Sequence, residues 1–220
     1  MTKKNTFHPP KAKNHRQLEY IKAILSKEMV VSYGPAGTGK SYLAAAMAAQ
    51  LYHTGKVEKI VLTRPMVPAS EYGMGFLPGD LNEKLQPWVF PFVKVLEEFL
   101  SKGEVECMVK NEKLEIVPFD VIRGRTFNKS FVVLDEAQNA TKKEVVAFLT
   151  RLGEGSTTVL DGDLSQSDLD YETDNGLEYI LELLRLPRNT QLREKVALIE
   201  FTEADIVRSE LCRLWVRAFS

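Results

Sequence analysis

The sequence predicts an α/β fold, a mostly parallel sheet with helices on both faces. Three observations predict it. Short apolar, β-branched runs recur along the chain. Stretches of helical spacing separate them, the alternation expected of a parallel sheet. At the first strand-to-helix joint stands Gly34-Pro35-Ala36-Gly37-Thr38-Gly39-Lys40-Ser41, which fits GxxxxGK[ST] at every fixed position.

The elements follow in order. Residues 1–13 carry Lys3, Lys4, Lys11, Lys13, Pro9 and Pro10, and are expected to form a mobile basic arm. Leu18, Ile21, Ala23, Ile24 and Leu25 then recur at helical spacing. Met29–Tyr33 reads as a buried strand, Lys40 to His53 as an Ala-rich helix stopped by Gly55, and Ile60–Thr63 as a second strand. Residues 66–79 hold three glycines and two prolines and read as a long loop. Leu81–Leu100 reads as a helix with kinks or breaks at Pro87 and Pro91, and Leu114–Phe119 as a strand. Phe131–Leu134 is the clearest buried strand, followed by a helix over 142–152. Thr157–Leu160 is a strand, 176–186 a helix, Val196–Phe201 a last strand and Glu203–Phe219 a last helix. The expected organisation is one domain over 14–220, with 66–119 as a decoration on its core.

Composition narrows the function classes. With 220 residues, 44% hydrophobic and 27% charged, the chain can bury a core without staples. Its 29 basic and 30 acidic residues nearly cancel, so nucleic acid would have to be held by a local patch. Cys107 and Cys212 form no CxxC pair and suggest neither a zinc ribbon nor a disulfide framework. They fit reduced thiols in a cytoplasmic protein. No apolar run reaches membrane-spanning length, and no apolar segment follows the basic N-terminus as in a secretory signal.

The glycine-rich run carries the chemistry. Glycines let the backbone curl so that successive N–H groups point inward, and the helix N-terminus behind them adds partial positive charge. Lys40 can reach the β- and γ-phosphates of a nucleotide, and Ser41 can ligate Mg²⁺. Asp135, at the end of the Phe131–Leu134 strand, can hold the metal shell beside Ser41, and Glu136 can orient or deprotonate an attacking water. That pairing favours hydrolysis over transfer to a bound acceptor. Gly162-Asp163-Leu164-Ser165-Gln166 follows another strand. Its Asp163 and Gln166 suit a γ-phosphate sensor and equally an ordinary polar turn.

Together, Gly34–Ser41, Asp135-Glu136-Ala137-Gln138-Asn139 and Gly162–Gln166 resemble the PhoH-like ATPases, which are similar to the first RecA-like domain of superfamily 1 helicases. Thr63-Arg64-Pro65, Leu77-Pro78-Gly79-Asp80, Arg123-Gly124-Arg125-Thr126 and Thr202–Arg208 resemble further motifs of that family. The resemblance runs from Asn14 to Arg208, and in length the chain looks like the short bacteriophage-encoded forms, which would place it in the host cytoplasm. It implies a RecA-like P-loop fold, ATP and Mg²⁺ as cofactors, and a ring of identical subunits, expected to be a hexamer. It also implies that Gln17 reads the adenine edge, and that Gln138 and Gln166 couple the γ-phosphate to a nucleic-acid surface.

Such sites usually add an arginine that neutralises transition-state charge. Either a neighbouring subunit supplies it or turnover is poor. Arg208, expected on the last helix, is the first candidate for a finger acting in trans. Arg123 and Arg125 are the second, and Arg64 completes the set. For single-stranded RNA or DNA, the candidates are the basic arm, Thr63-Arg64 at a strand end, Arg123, Arg125, and Tyr72, Phe76 and Trp88 in or near the long loop. Packing is the competing role for Phe76 and Trp88. Three functions stay open: an ATPase that remodels RNA, with helicase activity as its strongest form; a small-molecule P-loop kinase; and a binding module whose nucleotide controls assembly with very slow turnover.

Overall fold

The computed structural model describes residues 7–65, 81–170 and 173–219. In chain order the elements are α1 (His15–Ser26), β1 (Met29–Tyr33), α2 (Lys40–His53), β2 (Lys59–Thr63), α3 (Leu81–Leu100), α4 (Lys102–Lys110), β3 (Leu114–Ile116), β4 (Ser130–Leu134), α5 (Lys142–Leu149), β5 (Thr157–Gly162), α6 (Gly176–Arg185), α7 (Thr190–Lys195), β6 (Val196–Glu200) and α8 (Glu210–Phe219). The strands form one sheet in the order β3-β2-β4-β5-β1-β6, and every pairing is parallel.

Each central strand is apolar on both sides because each side meets helices. Along β4, Phe131 and Val133 join one core with Val30, Ile60 and residues of α1 to α4. Val132 and Leu134 join the other, with Val31, Val61 and residues of α5 and α6. The alternation follows from the two-residue strand period.

One consequence places the site. The phosphate-loop strand β1 and the Asp135 strand β4 are not neighbours, since β5 lies between them. In a parallel sheet all strands end on the same side, so the loops after β1, β2, β4 and β5 gather at one edge.

The α2 helix ends as Gly55 suggests. Gly55 has φ +71°, Lys56 N–H donates to the Leu51 carbonyl at 2.9 Å, and Gly55 N–H donates to that of Tyr52 at 3.0 Å. Of the kinks or breaks expected at Pro87 and Pro91, the break does not occur: α3 runs from Leu81 to Leu100. The last helix is shorter than expected. Glu203–Asp205 is a single 3₁₀ turn, closed by Asp205 accepting from the Thr202 backbone and hydroxyl at 2.9 and 3.1 Å, and α8 starts only at Glu210. Between them Ile206 is buried and the Val207 N–H donates to the Gly37 carbonyl at 3.1 Å, which draws the chain out of helical geometry. Arg208 is therefore not on a helix.

Of the expected arm, residues 7–13 are described and are not free. Phe7 stacks on His53 at 4.6 Å, and Lys13 N–H donates to the Gln17 side chain at 2.7 Å. Tyr72, Phe76 and Leu77–Asp80 lie outside the described residues, as does the side chain of Trp88 on α3. No helix among the described residues is long and apolar enough to cross a membrane.

The Gly55 turn gives a clean test of the helix stop. A Cβ there would meet nothing within 4 Å, so the Gly55→Ala cost is backbone strain alone. Urea denaturation should show a loss of about 1 kcal/mol.

Candidate functional site

A cavity of about 600 Å³ opens at the sheet edge where the strand ends gather. Its lining includes Gln17, Gly37, Lys40, Ser41, Asp135, Glu136, Asp161, Asp163, Gln166 and Arg208. Sequence reading anticipates most of these; Asp161 is the addition.

The phosphate loop takes a shape that side chains would forbid. Gly34, Gly37 and Gly39 have φ of +130°, +83° and +88°. A Cβ on Gly34 would lie 2.0 Å from the Phe201 carbonyl oxygen. Two donors from outside the loop brace it. Gln17 Nε2 donates to the Thr38 carbonyl at 2.8 Å, and Val207 N–H to that of Gly37. Gln17 is 3% exposed. One of its amide hydrogens is spent on the loop, so it sits beside the cavity as part of the loop's own support. Pro35 and Ala36 complete the curve. The Pro35 carbonyl accepts from Thr38 Oγ1 at 3.1 Å.

Lys40, 9% exposed, donates to the Gly34 and Pro35 carbonyls at 2.7 and 3.0 Å. Burial lowers its ammonium pKa, against the pull of Asp161, Asp163, Glu136 and Asp135. Ser41 Oγ donates to Asp135 Oδ1 at 2.9 Å and so ties the start of α2 to the end of β4 across the intervening strand. A hydroxyl and a carboxylate are hard oxygen donors that suit a Mg²⁺ completing its shell with water and phosphate. Among the described residues no cluster of three or more His, Cys, Asp or Glu forms an all-protein cage. Burial, then the neighbouring Glu136, raises the Asp135 pKa; Arg64 and Ser41 oppose the rise.

Glu136 stands at φ +55°, a left-handed conformation that a glutamate rarely adopts. Both of its oxygens are engaged. Arg64, from the end of β2, lies 3.3 Å from Oε1 and 3.8 Å from Asp135 Oδ2, and Gln138 Nε2 donates to Glu136 Oε2 at 2.7 Å. Gln138 is 1% exposed, and its Oε1 accepts from the Asp163 N–H at 3.0 Å. The carboxamide therefore joins the strand ends of β4 and β5. Asp163 caps its own turn, accepting from Ser165 N–H and Oγ and from Gln166 Nε2 at 2.9 Å. The Asp163–Gln166 run is thus a polar turn in construction that also lines the cavity. Thr63, buried in β2, accepts at its carbonyl from the Asp135 N–H at 3.0 Å.

The arginines separate. Arg208 Cδ lies 3.1 Å from where a Gly37 Cβ would sit, so it reaches the phosphate loop of its own chain. Arg64 also belongs to the site. Arg125 does not: it pairs with Glu115 at 2.7 Å near Lys59 and Ser130, which begin β2 and β4 at the other end of the sheet. Arg123 lines a shallow hollow with Phe119, Lys143 and Glu144 on the face of α5.

Behind the loop lies a cluster that sequence reading misses. Asp161 Oδ1 accepts from Tyr20 Oη at 2.7 Å and from Ser32 Oγ, in a position that is 1% exposed. Its one signal in the sequence is an acid continuing an apolar strand. Burial is the main cause that moves its carboxyl pKa from 3.8 up to about 7; Asp135 adds to the rise, while Ser32, Tyr20 and Lys40 oppose it. Tyr20, buried beside it, is itself raised well above the usual phenol value. Between the unfolded value and about 7 the folded state binds the extra proton, so Asp161 makes stability fall as pH rises through that window. Asp161→Asn removes the dependence. Thermal melts should show the variant gaining on the wild type from about pH 5 to about pH 8, by up to a few kcal/mol.

The phosphate loop, with one strand between its own and the Asp135 strand, makes this a RecA-like P-loop NTPase fold. Comparison with known proteins agrees. Protein PhoH of Escherichia coli K12 is 41% identical over 214 residues, 96% of this chain and 58% of that protein. A PhoH-like protein of Bacillus subtilis is 39% identical over 209 residues, 95% of this chain and 63% of that one. The chain thus spans about three fifths of the length of these curated relatives. Among solved structures it is similar to the large terminase of a thermophilic bacteriophage, with 10% identity, a TM-score of 0.49, and coverage of 94% of this chain and 50% of that one. The family model described as PhoH-like protein matches residues 10–220. That match takes in every element that shapes the cavity, and the chain belongs to the PhoH-like family.

Proposed function

We propose that the chain binds and hydrolyses ATP with Mg²⁺, and that hydrolysis is coupled to binding or remodelling single-stranded nucleic acid, RNA in the first instance. The observation that carries the hydrolytic part is the convergence of the glycine loop, Lys40, the Ser41–Asp135 pair and Glu136 on one cavity. Lys40 would move from the loop carbonyls to the phosphates. Ser41 and Asp135 would hold the metal, which screens phosphate charge when bound. Glu136 would take the proton of the attacking water.

Arg64 supports the coupling. It is the candidate nucleic-acid contact, and it also holds both acidic side chains. With Oε1 facing Arg64 and Oε2 bonded to Gln138, Glu136 is poorly placed to accept a proton. A strand phosphate that draws Arg64 away would free Oε1. The same contacts favour slow turnover without a polynucleotide, which is what a nucleotide-controlled assembly module would also show.

A ring of identical subunits, a hexamer by family resemblance, remains part of the proposal, as does the cytoplasm of a cell or of an infected host. Arg208 would serve the nucleotide of its own chain, a reading supported by its side chain lying against the phosphate loop at Gly37. Arg125, at the far end of the sheet, would be the arginine that approaches a neighbour in a head-to-tail ring.

The test is steady-state ATP hydrolysis with and without single-stranded RNA, with Glu136→Gln as the blank. Stimulation by RNA and a loss of about 10²-fold or more in the blank are expected; a rate indifferent to RNA and DNA removes the coupling. Arg64→Ala should raise the RNA-free rate and abolish stimulation. Arg208→Ala should keep ATP binding and cut turnover by about 10³-fold. Mixing it with Glu136→Gln should restore nothing if Arg208 acts within its own chain, whereas partial recovery assigns it to a neighbour's site.

A further inference from the structure

The basic segment ahead of α1 reads in the sequence as a nucleic-acid contact, yet the fold carries two of its lysines, Lys11 and Lys13, to the lining of the phosphate cavity. We propose that Lys11 and Lys13 are nucleotide-contacting residues, whose ammonium groups bind the phosphate chain of the nucleoside triphosphate at the cavity mouth. This rests on the reading that the cavity takes such a nucleotide.

The placement of the segment carries it, because both of its ends are fixed. Phe7 stacks at 4.6 Å on His53, the last residue of α2, and lies 6.0 Å from the Phe99 ring of α3. At the other end Lys13 N–H donates to Gln17 Oε1 at 2.7 Å, and Gln17 Nε2 donates to the Thr38 carbonyl of the phosphate loop at 2.8 Å. Asn14 accepts from Gln17 N–H at 2.8 Å and donates to the Asp205 carbonyl at 3.0 Å. The segment therefore runs from one end of α2 to the other. That helix is about 20 Å long, and the chain from Phe7 to Lys13 reaches about 20 Å when extended, so little slack remains. Exposure alternates accordingly: Lys11 and Lys13 are exposed, whereas Pro10, Ala12 and Asn14 are half-buried, the two-residue period of an extended chain. Both lysines thus stand on one side of the segment, and both line the cavity.

Charge acts in the same direction. Asp135, Glu136, Asp161 and Asp163 line the cavity against two basic groups at the phosphate loop, Lys40 and Arg208. Lys11 and Lys13 make the numbers equal. Lys40 already donates to the Gly34 and Pro35 carbonyls. No acid among the described residues pairs with either ammonium of the segment, so an incoming anion meets both without displacing a partner. Position favours a nucleotide over a nucleic-acid strand as that anion. Arg64, the candidate strand contact, ends β2, whereas the lysines stand beside the loop that follows β1, with β4 and β5 between the two strands.

The experiment is equilibrium binding of a non-hydrolysable ATP analogue with Mg²⁺, without nucleic acid, at about 50 and about 200 mM salt. The double variant Lys11→Gln/Lys13→Gln should bind about tenfold more weakly at the lower salt, and its affinity should fall less as salt rises. Lys22→Gln/Lys56→Gln removes the same charge from exposed lysines outside the cavity lining and should match the wild type. Lys11→Arg/Lys13→Arg keeps the charge and should keep the affinity; a loss there would make packing the cause and overturn the proposal. An equal loss in the two glutamine variants would overturn it, and so would a loss indifferent to salt. Unchanged nucleotide affinity would overturn it as well, and a lost response of ATP hydrolysis to single-stranded RNA in that case would assign the lysines to the nucleic acid. A wild type that binds no nucleotide would remove the ATPase reading and this proposal together, whereas the other failures leave the ATPase reading standing.

Discussion

The site depends first on a backbone that few residues can follow. Gly34, Gly37 and Gly39 sit at positive φ, and at Gly34 even a methyl group would strike the Phe201 carbonyl. Such a curve leaves carbonyls that the sheet and helix cannot satisfy. Gln17 and Val207, far apart in sequence, each donate to one of them. The phosphate loop is therefore an assembly of three chain segments. Its support explains two departures from local expectation. Residues 206–208 leave helical geometry to reach Gly37, and the N-terminal segment is drawn in by the Lys13–Gln17 bond.

The second constraint is the strand order. With β5 between β1 and β4, the Ser41–Asp135 hydrogen bond has to span the end of a strand. That strand's own end then lies between the two. Gln138 bonds to Glu136 on one side and to the Asp163 backbone on the other, so displacement of either end is felt at the other. A network this buried works only when each member is satisfied, and within it Glu136 is held in a left-handed conformation it would not choose alone.

All six strands are legible in the sequence, the four inner ones because burial on both faces writes largely apolar runs. So are the phosphate loop and the strand-end carboxylates, whose chemistry demands particular residues at short spacing. What is not legible depends on tertiary partners. The run Ile206-Val207 looks helical until its burial and its bond to Gly37 are known. Pro87 and Pro91 look like breaks, yet α3 continues through both. Arg123 and Arg125 share a short motif, yet they face different parts of the surface, because Gly124 between them turns at φ +79°. Asp161 passes unnoticed beside the polar turn that follows it, since nothing local announces that two hydroxyls from α1 and β1 converge on it.

The charge balance of the cavity sets it apart from a simple anion trap. Lys11, Lys13, Lys40 and Arg208 line it with Asp135, Glu136, Asp161 and Asp163, so basic groups and carboxyls are equal in number. A triphosphate added to that set would find no surplus of positive charge unless a cation or protons came with it. A divalent ion on Ser41 and Asp135 would supply part of that charge, and Arg64 already offsets Asp135 and Glu136. The two contributions differ in kind. In the proposed reaction the metal would arrive with the nucleotide, whereas Arg64 sits at the end of β2, where another anion can compete for it. Under that proposal binding and hydrolysis would be governed separately, the first by the loop and a metal, the second by whatever holds Arg64.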